Sequence, residues 1–190
     1  MSPRIGLNMQ TILETAASLA DQEGIHAVTL ASLSKKLNVR PPSLYNHVEG
    51  LAGIRKELAV LGLRSLYEEM ATAVQDAEKG EAVCNMARAY VAFARNRPGL
   101  YEATLLKPAD EDKRIEEAGE RIVNLALSVL KDYQLDDVSA IHAVRGLRSI
   151  MHGFATLMQI RAFGLPYDIE DSLKMTVRAF LAGLDASRIK

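Results

Sequence analysis

Apolar residues recur every three or four positions along most of the chain, and no stretch alternates convincingly enough for a β-strand. The pattern predicts an all-α fold of about nine helices. The first runs over residues 8–23, with Asn8 as cap, Gly24 as terminator, and Ile12, Ala16, Leu19 and Ala20 as the buried stripe. The second follows a capping Thr29 and places Leu30, Leu33 and Leu37 on one face. Asn38 then tolerates the left-handed conformation that ends a helix, and Val39 plugs the angle to the next one. Arg40-Pro41-Pro42 opens a third, short helix. Proline drives Arg40 out of the helical region, and its own missing N–H costs nothing in a first turn. A fourth helix, from 51 to about 77, carries Ile54, Leu58, Leu61, Leu66 and Met70 and ends before a break at Lys79-Gly80. Its length suits it to link two domains.

The fifth and sixth helices are expected at 81–96 and 99–106, bounded by Pro98 and Pro108. The seventh opens in Asp110-Glu111-Asp112, which favours a helix N-terminus, and runs to 133. The eighth runs from Asp136-Asp137 to 163 with Gly164 as terminator, and the ninth from a capping Asp168 to about 186. Gly146 and Gly153 share one side of the eighth helix. Each costs a helix interior about 1 kcal/mol relative to alanine, so close approach of a neighbouring helix is the simplest reason for both. That neighbour is either within the chain or in a second copy. A two-fold four-helix interface would use Gly146, Gly153, Phe154 and Leu157 with Val177, Phe180, Leu181 and Leu184.

The third helix carries the candidate chemistry. Leu44 and Val48 are its only clear anchors, which leaves Ser43, Tyr45, Asn46 and His47 facing elsewhere. So short and polar a helix has the build of a helix-turn-helix recognition element. Lys35, Lys36 and Arg40 lie in the same stretch, and no Asp or Glu occurs between Glu23 and Glu49. DNA affinity rests largely on neutralising phosphates, and a local cluster suffices on a chain of net charge −1. Ser43, Asn46, His47 and Arg40 are expected at base edges and Thr29, Lys35, Lys36 and Tyr45 on phosphates, with Pro42 in the same DNA-binding surface.

Composition narrows the class. At 190 residues, 48% hydrophobic and 25% charged, the chain has the makeup of a soluble globular protein, and 5% aromatics without Trp suit helix packing. A single Cys84, no apolar run approaching 18 residues and no signal-peptide core behind Met1-Ser2-Pro3-Arg4 predict a cytoplasmic protein. Catalytic signatures are missing: no His-Glu-x-x-His, no glycine-rich phosphate loop, no Gly-x-Ser-x-Gly. Glu23-x-x-His26 occurs once with Gly24 inside it, and His142 and His152 lack a closed ligand set, so no enzyme, metal or cofactor is expected.

The run Ile12-Leu13-x-x-Ala16-Ala17-x-Leu19-Ala20-x-x-Glu23-Gly24-x-x-x-Val28-Thr29, followed by Ser43-Leu44-Tyr45-x-His47-Val48, resembles the N-terminal domain of the TetR family of bacterial transcriptional repressors. The family's phosphate-touching lysine after the recognition helix is Leu51 here, with Arg55 and Lys56 as partial replacements. The segment Arg148-Ser149-x-x-His152-Gly153-Phe154-Ala155 resembles a subfamily marked by Trp-x-x-x-His-Gly, with Arg148 at the Trp position. The resemblance implies a DNA-binding domain over residues 1–50 and a ligand-binding, dimerising bundle over 51–190. It implies a homodimer on a palindromic operator and a small-molecule effector, for which the sequence offers Met86, Tyr90, Phe93, Tyr101, His142, Arg145 and His152. The Leu51 departure and the near-neutral charge motivate the alternative of a protein–protein adaptor that has kept the fold without specific DNA binding.

Overall fold

A computed structural model describes residues 7–106 and 111–187. Met1-Ser2-Pro3-Arg4, Pro108 and Asp110 lie outside them. The described residues form nine α-helices and no strand: α1 Met9–Glu23, α2 Leu30–Leu37, α3 Pro41–Tyr45, α4 Gly50–Val74, α5 Lys79–Asn96, α6 Pro98–Leu105, α7 Lys113–Leu130, α8 Asp137–Gln159 and α9 Ile169–Ser187. The expected all-α class is therefore observed.

Local capping chemistry sets several boundaries. The Asn8 side chain accepts from Thr11 N–H, and Gly24, at φ 87°, donates its N–H to Ala20 O. The Asp168 carboxylate accepts from the N–H of Glu170 and Asp171 at the start of α9. Three ends differ from expectation. The break after α4 falls at Asp76, which takes φ 58°, so α5 begins at Lys79 and not after Gly80. α7 stops at Leu130 and tightens into a 3-10 turn, Lys131–Tyr133, closed by Gln134 at φ 49°. α8 ends at Gln159 because Arg161 turns left-handed, which carries Phe163 out of the helix to stack on Phe154 with centroids 5.5 Å apart.

The chain divides into two compact units, Met1–Leu63 with Arg97–Glu116, and Arg64–Asn96 with Glu117–Lys190. The sequence places a boundary at residue 50; compactness places it inside α4 and assigns α6 to the first unit. The reason is a set of long-range bonds. The Asp21 carboxylate on α1 accepts from Arg97 Nε at 2.7 Å and from the N–H groups of Gly99 and Leu100 at 2.9 and 3.2 Å. It thereby caps α6 from a different helix, satisfying donors that have no intrahelical partner. Gly99 permits the approach, since a Cβ there would overlap the backbone of Ala20. On its other side α6 meets Gly62 of α4, where a Cβ would lie 2.6 Å from Leu100 O.

In the second unit α5 packs against α8 and α9. Met86, Phe93, Leu147, Met151, Leu173 and Val177 form its buried centre. Gly146 has a reason inside the chain: a Cβ there would lie 2.9 Å from the Phe180 ring on α9. A Cβ added at Gly153 would meet no other element among the described residues within 4 Å.

Candidate nucleic-acid interface

The turn between α2 and α3 is built from its own residues. Thr29 accepts from Ser32 N–H while Ser32 Oγ accepts from Thr29 N–H, a reciprocal box that fixes the start of α2. The Thr29 hydroxyl also donates to Ser32 Oγ. Asn38 takes φ 54°, ψ 44°, and Val39 N–H reaches back to Ser34 O at 3.0 Å, closing α2. Arg40 is extended, and prolines fill the first two positions of α3. After Tyr45 one further turn continues, with the N–H groups of His47 and Val48 both donating to Leu44 O.

Leu44 and Val48 are buried and hold this segment to the core of the first unit. Tyr45, at 59% exposure, points outward, and Arg40, Pro42, Asn46 and His47 are exposed with it. Ser43 is half-buried. Lys35 and Lys36 are exposed. Lys36 is engaged by Gln22 Oε1 at 3.3 Å and Glu23 at 3.6 Å, so part of its charge is already balanced. Leu51 is half-exposed in the first turn of α4. Arg55 and Lys56 are half-buried, and Arg55 Nε has no hydrogen-bond partner among the described residues.

A long-range ion network completes this unit. Arg114, in the first turn of α7, donates from Nη1 to Glu57 Oε1 at 2.7 Å, and from Nη2 and Nε to both oxygens of Asp112 at 2.9 and 3.2 Å. Asp112 also accepts from Arg114 N–H. These bonds hold the Asp112 carboxyl below its ordinary range, and bonds from the guanidinium to Asp112 and Glu57 raise the arginine above its own. Arg114 and Glu57 lie 57 residues apart, and no periodic or spacing signal joins them.

The other candidate residues divide by environment. Met86, Tyr90 and Phe93 are buried in the second unit, where His152 is half-buried and His142 and Arg145 are both exposed; Tyr101 is buried in the first unit. Of the candidate interface residues, Val177 and Leu181 are buried within the chain, and Gly146 lies against Phe180. Phe154, Phe180 and Leu184 are half-buried, while Leu157 is exposed. Cys84 is buried, and that burial pushes its thiol up, which makes it a poor nucleophile.

Comparison with known proteins agrees with this architecture. Residues 12–48 match the family described as bacterial regulatory proteins, tetR family, and residues 83–180 match the tetracyclin repressor-like C-terminal domain. An uncharacterized HTH-type transcriptional regulator of Bacillus subtilis (strain 168), YobS, is 50% identical over 185 residues, covering 97% of this chain and 96% of the relative. Another from Mycobacterium tuberculosis, Rv0681, is 30% identical over 152 residues, covering 80% and 70%. Among solved structures, a Rhodococcus sp. RHA1 protein of unknown function superposes with a TM-score of 0.82 at 20% identity, covering 97% of this chain and 100% of that one. The TetR family regulator PfmR of Thermus thermophilus gives 0.69 at 18% identity, covering 93% and 97%. These two likenesses concern the fold. The chain is a helix-turn-helix transcriptional regulator and belongs to the bacterial TetR family. Among the described residues, no helix is long and apolar enough to cross a membrane.

Proposed function

We propose that the protein is a homodimeric, ligand-responsive repressor of the cytoplasm that binds a palindromic operator. The observation that carries this reading is α3 itself. Two buried anchors, Leu44 and Val48, present Tyr45, Asn46 and His47 to solvent beside the exposed Lys35 and Arg40. Ser43, Asn46 and His47, with Arg40 and Pro42, approach base edges in the major groove, while Thr29, Lys35, Lys36 and Tyr45 engage phosphates. Copies associate through α8 and α9, with Gly153, Phe154, Leu157, Phe180 and Leu184 at the contact and the exposed Met175 joining them. The remaining candidates, Gly146, Val177 and Leu181, support this surface from within.

An effector in the second unit would favour a conformer with the wrong spacing between recognition helices; its influence is limited to its differential affinity for the two conformers. Met86, Tyr90 and Phe93 supply apolar contact, and His152 a polar group. The match of residues 83–180 to the tetracyclin repressor-like C-terminal domain supports placing the effector in this part of the chain.

Selection of bound duplexes from a random DNA pool at two salt concentrations tests the reading. A palindrome with salt-sensitive affinity is expected. Recovery of no sequence by folded, dimeric protein would overturn it in favour of the adaptor. On the recovered duplex, Tyr45→Phe should weaken binding about threefold irrespective of sequence, since one hydrogen bond to a phosphate is lost. Asn46→Ala should cost about 1–3 kcal/mol on the preferred duplex and relax preference at one position. Unchanged affinity and preference in both variants would remove α3 from the interface.

A further inference from the structure

We infer that Arg114, far outside the helix-turn-helix in sequence, is a positioning residue for DNA binding: it neutralises a carboxylate wall beside the recognition helix. The inference rests on the DNA-binding reading above. A hollow of about 430 Å³ in the first unit has Tyr45, Asn46 and His47 among its lining residues. Glu49, Lys56, Glu57, Asp112 and Arg114 also line it. Three carboxylates therefore share the hollow with two cations, a net charge of −1 with His47 neutral. A hollow of this volume is comparable in width with the Debye length, ~10 Å at 0.1 M salt, so its charge acts on any polyanion bound at the rim.

Arg114 is placed to hold that charge down. Its fork engages Asp112 through both oxygens and Glu57 through one, so a single guanidinium bonds two of the three carboxylates. The stability of α7 does not explain the residue. A cation in the first turn of a helix opposes the helix dipole, and half-exposed ion pairs add little to folding. Without Arg114 the hollow would carry −2, and that extra charge would face phosphates held by Tyr45 and its neighbours.

The test compares full-length wild type, Arg114→Gln, Arg114→Lys, Glu57→Gln and the double variant Glu57→Gln/Arg114→Gln on a duplex recovered by the selection, between low and moderate salt. Arg114→Gln should lose about tenfold in affinity at low salt, with the loss shrinking as salt screens the wall. Arg114→Lys, which keeps the charge without the fork, should stay close to wild type. The double variant returns the hollow to −1 and should recover most of the lost affinity. Glu57→Gln alone, which brings it to zero, should bind at least as tightly as wild type. A purely mechanical bridge between α7 and α4 predicts the reverse for Glu57→Gln, because that change also breaks the bridge. Weak binding by Glu57→Gln, failure of the double variant to recover, or an Arg114→Gln affinity equal to wild type would overturn the inference. Wild-type protein that binds no duplex would instead sink the DNA-binding reading on which it rests.

Discussion

Gly99→Ala is expected to destabilise the protein by about 3 kcal/mol, near the top of the range for overpacked sites. The reason is the Cβ itself, which would overlap the Ala20 backbone, and backbone cannot move aside as a flexible side chain can. To make room α6 must retreat from α1. That retreat stretches the bonds from Arg97, Gly99 and Leu100 to Asp21, a carboxylate only 16% exposed. A buried acceptor that loses its donors adds its own desolvation cost. The melting temperature should fall by ~10 °C for a chain of this size. Gly119→Ala is the matched control, since Gly119 also sits within a helix but an added Cβ there would meet no other element among the described residues within 4 Å. It should raise stability by about 0.5–1 kcal/mol through helix propensity alone. A Gly99→Ala protein that melts with wild type would mean that α6 does not lie against α1 as described.

The same contact separates what the sequence makes legible from what it does not. The ends of α1 and α2 were readable because the residues that cap them are adjacent in sequence: Asn8 and Gly24, Thr29 and Asn38 each act within a few positions. The start of α3 was readable for the same reason, through Arg40-Pro41-Pro42 and the Leu44–Val48 pair. The assignment of α6 to the first unit was not readable, because Asp21 and Arg97 stand 76 residues apart and no periodicity links them. The Arg114 fork is hidden in the same way. At the end of α8 a local signal was present but outweighed. Apolar spacing carries the helix on to Phe163, whereas Arg161 turns left-handed and Phe163 gains a ring contact with Phe154. Gly146 illustrates the ambiguity of small residues. Its lack of a side chain signals close approach, but only the fold identifies the neighbour as Phe180 of the same chain.

On the dimer proposed above, Leu157→Glu is expected to yield a monomer and to reduce affinity for the proposed operator by about 100-fold or more, the usual margin of two linked sites over one. Leu157 is 41% exposed in the single chain, so a glutamate there should cost the protomer little stability. In a two-fold interface each substitution is repeated by the partner copy, so the proposed contact would hold two like charges beside Phe154. A helix-turn-helix dimer holds its recognition helices about 34–36 Å apart to meet successive major grooves, so a lone protomer keeps one half-site and loses the linkage. Sedimentation equilibrium and duplex binding on the same samples separate the two effects. Monomeric protein with weak residual binding to a single half-site is the expected result. A variant that remains dimeric with full operator affinity would place the interface elsewhere than α8 and α9. One that remains dimeric but loses the operator would show that this surface governs the spacing of the recognition helices and not association itself.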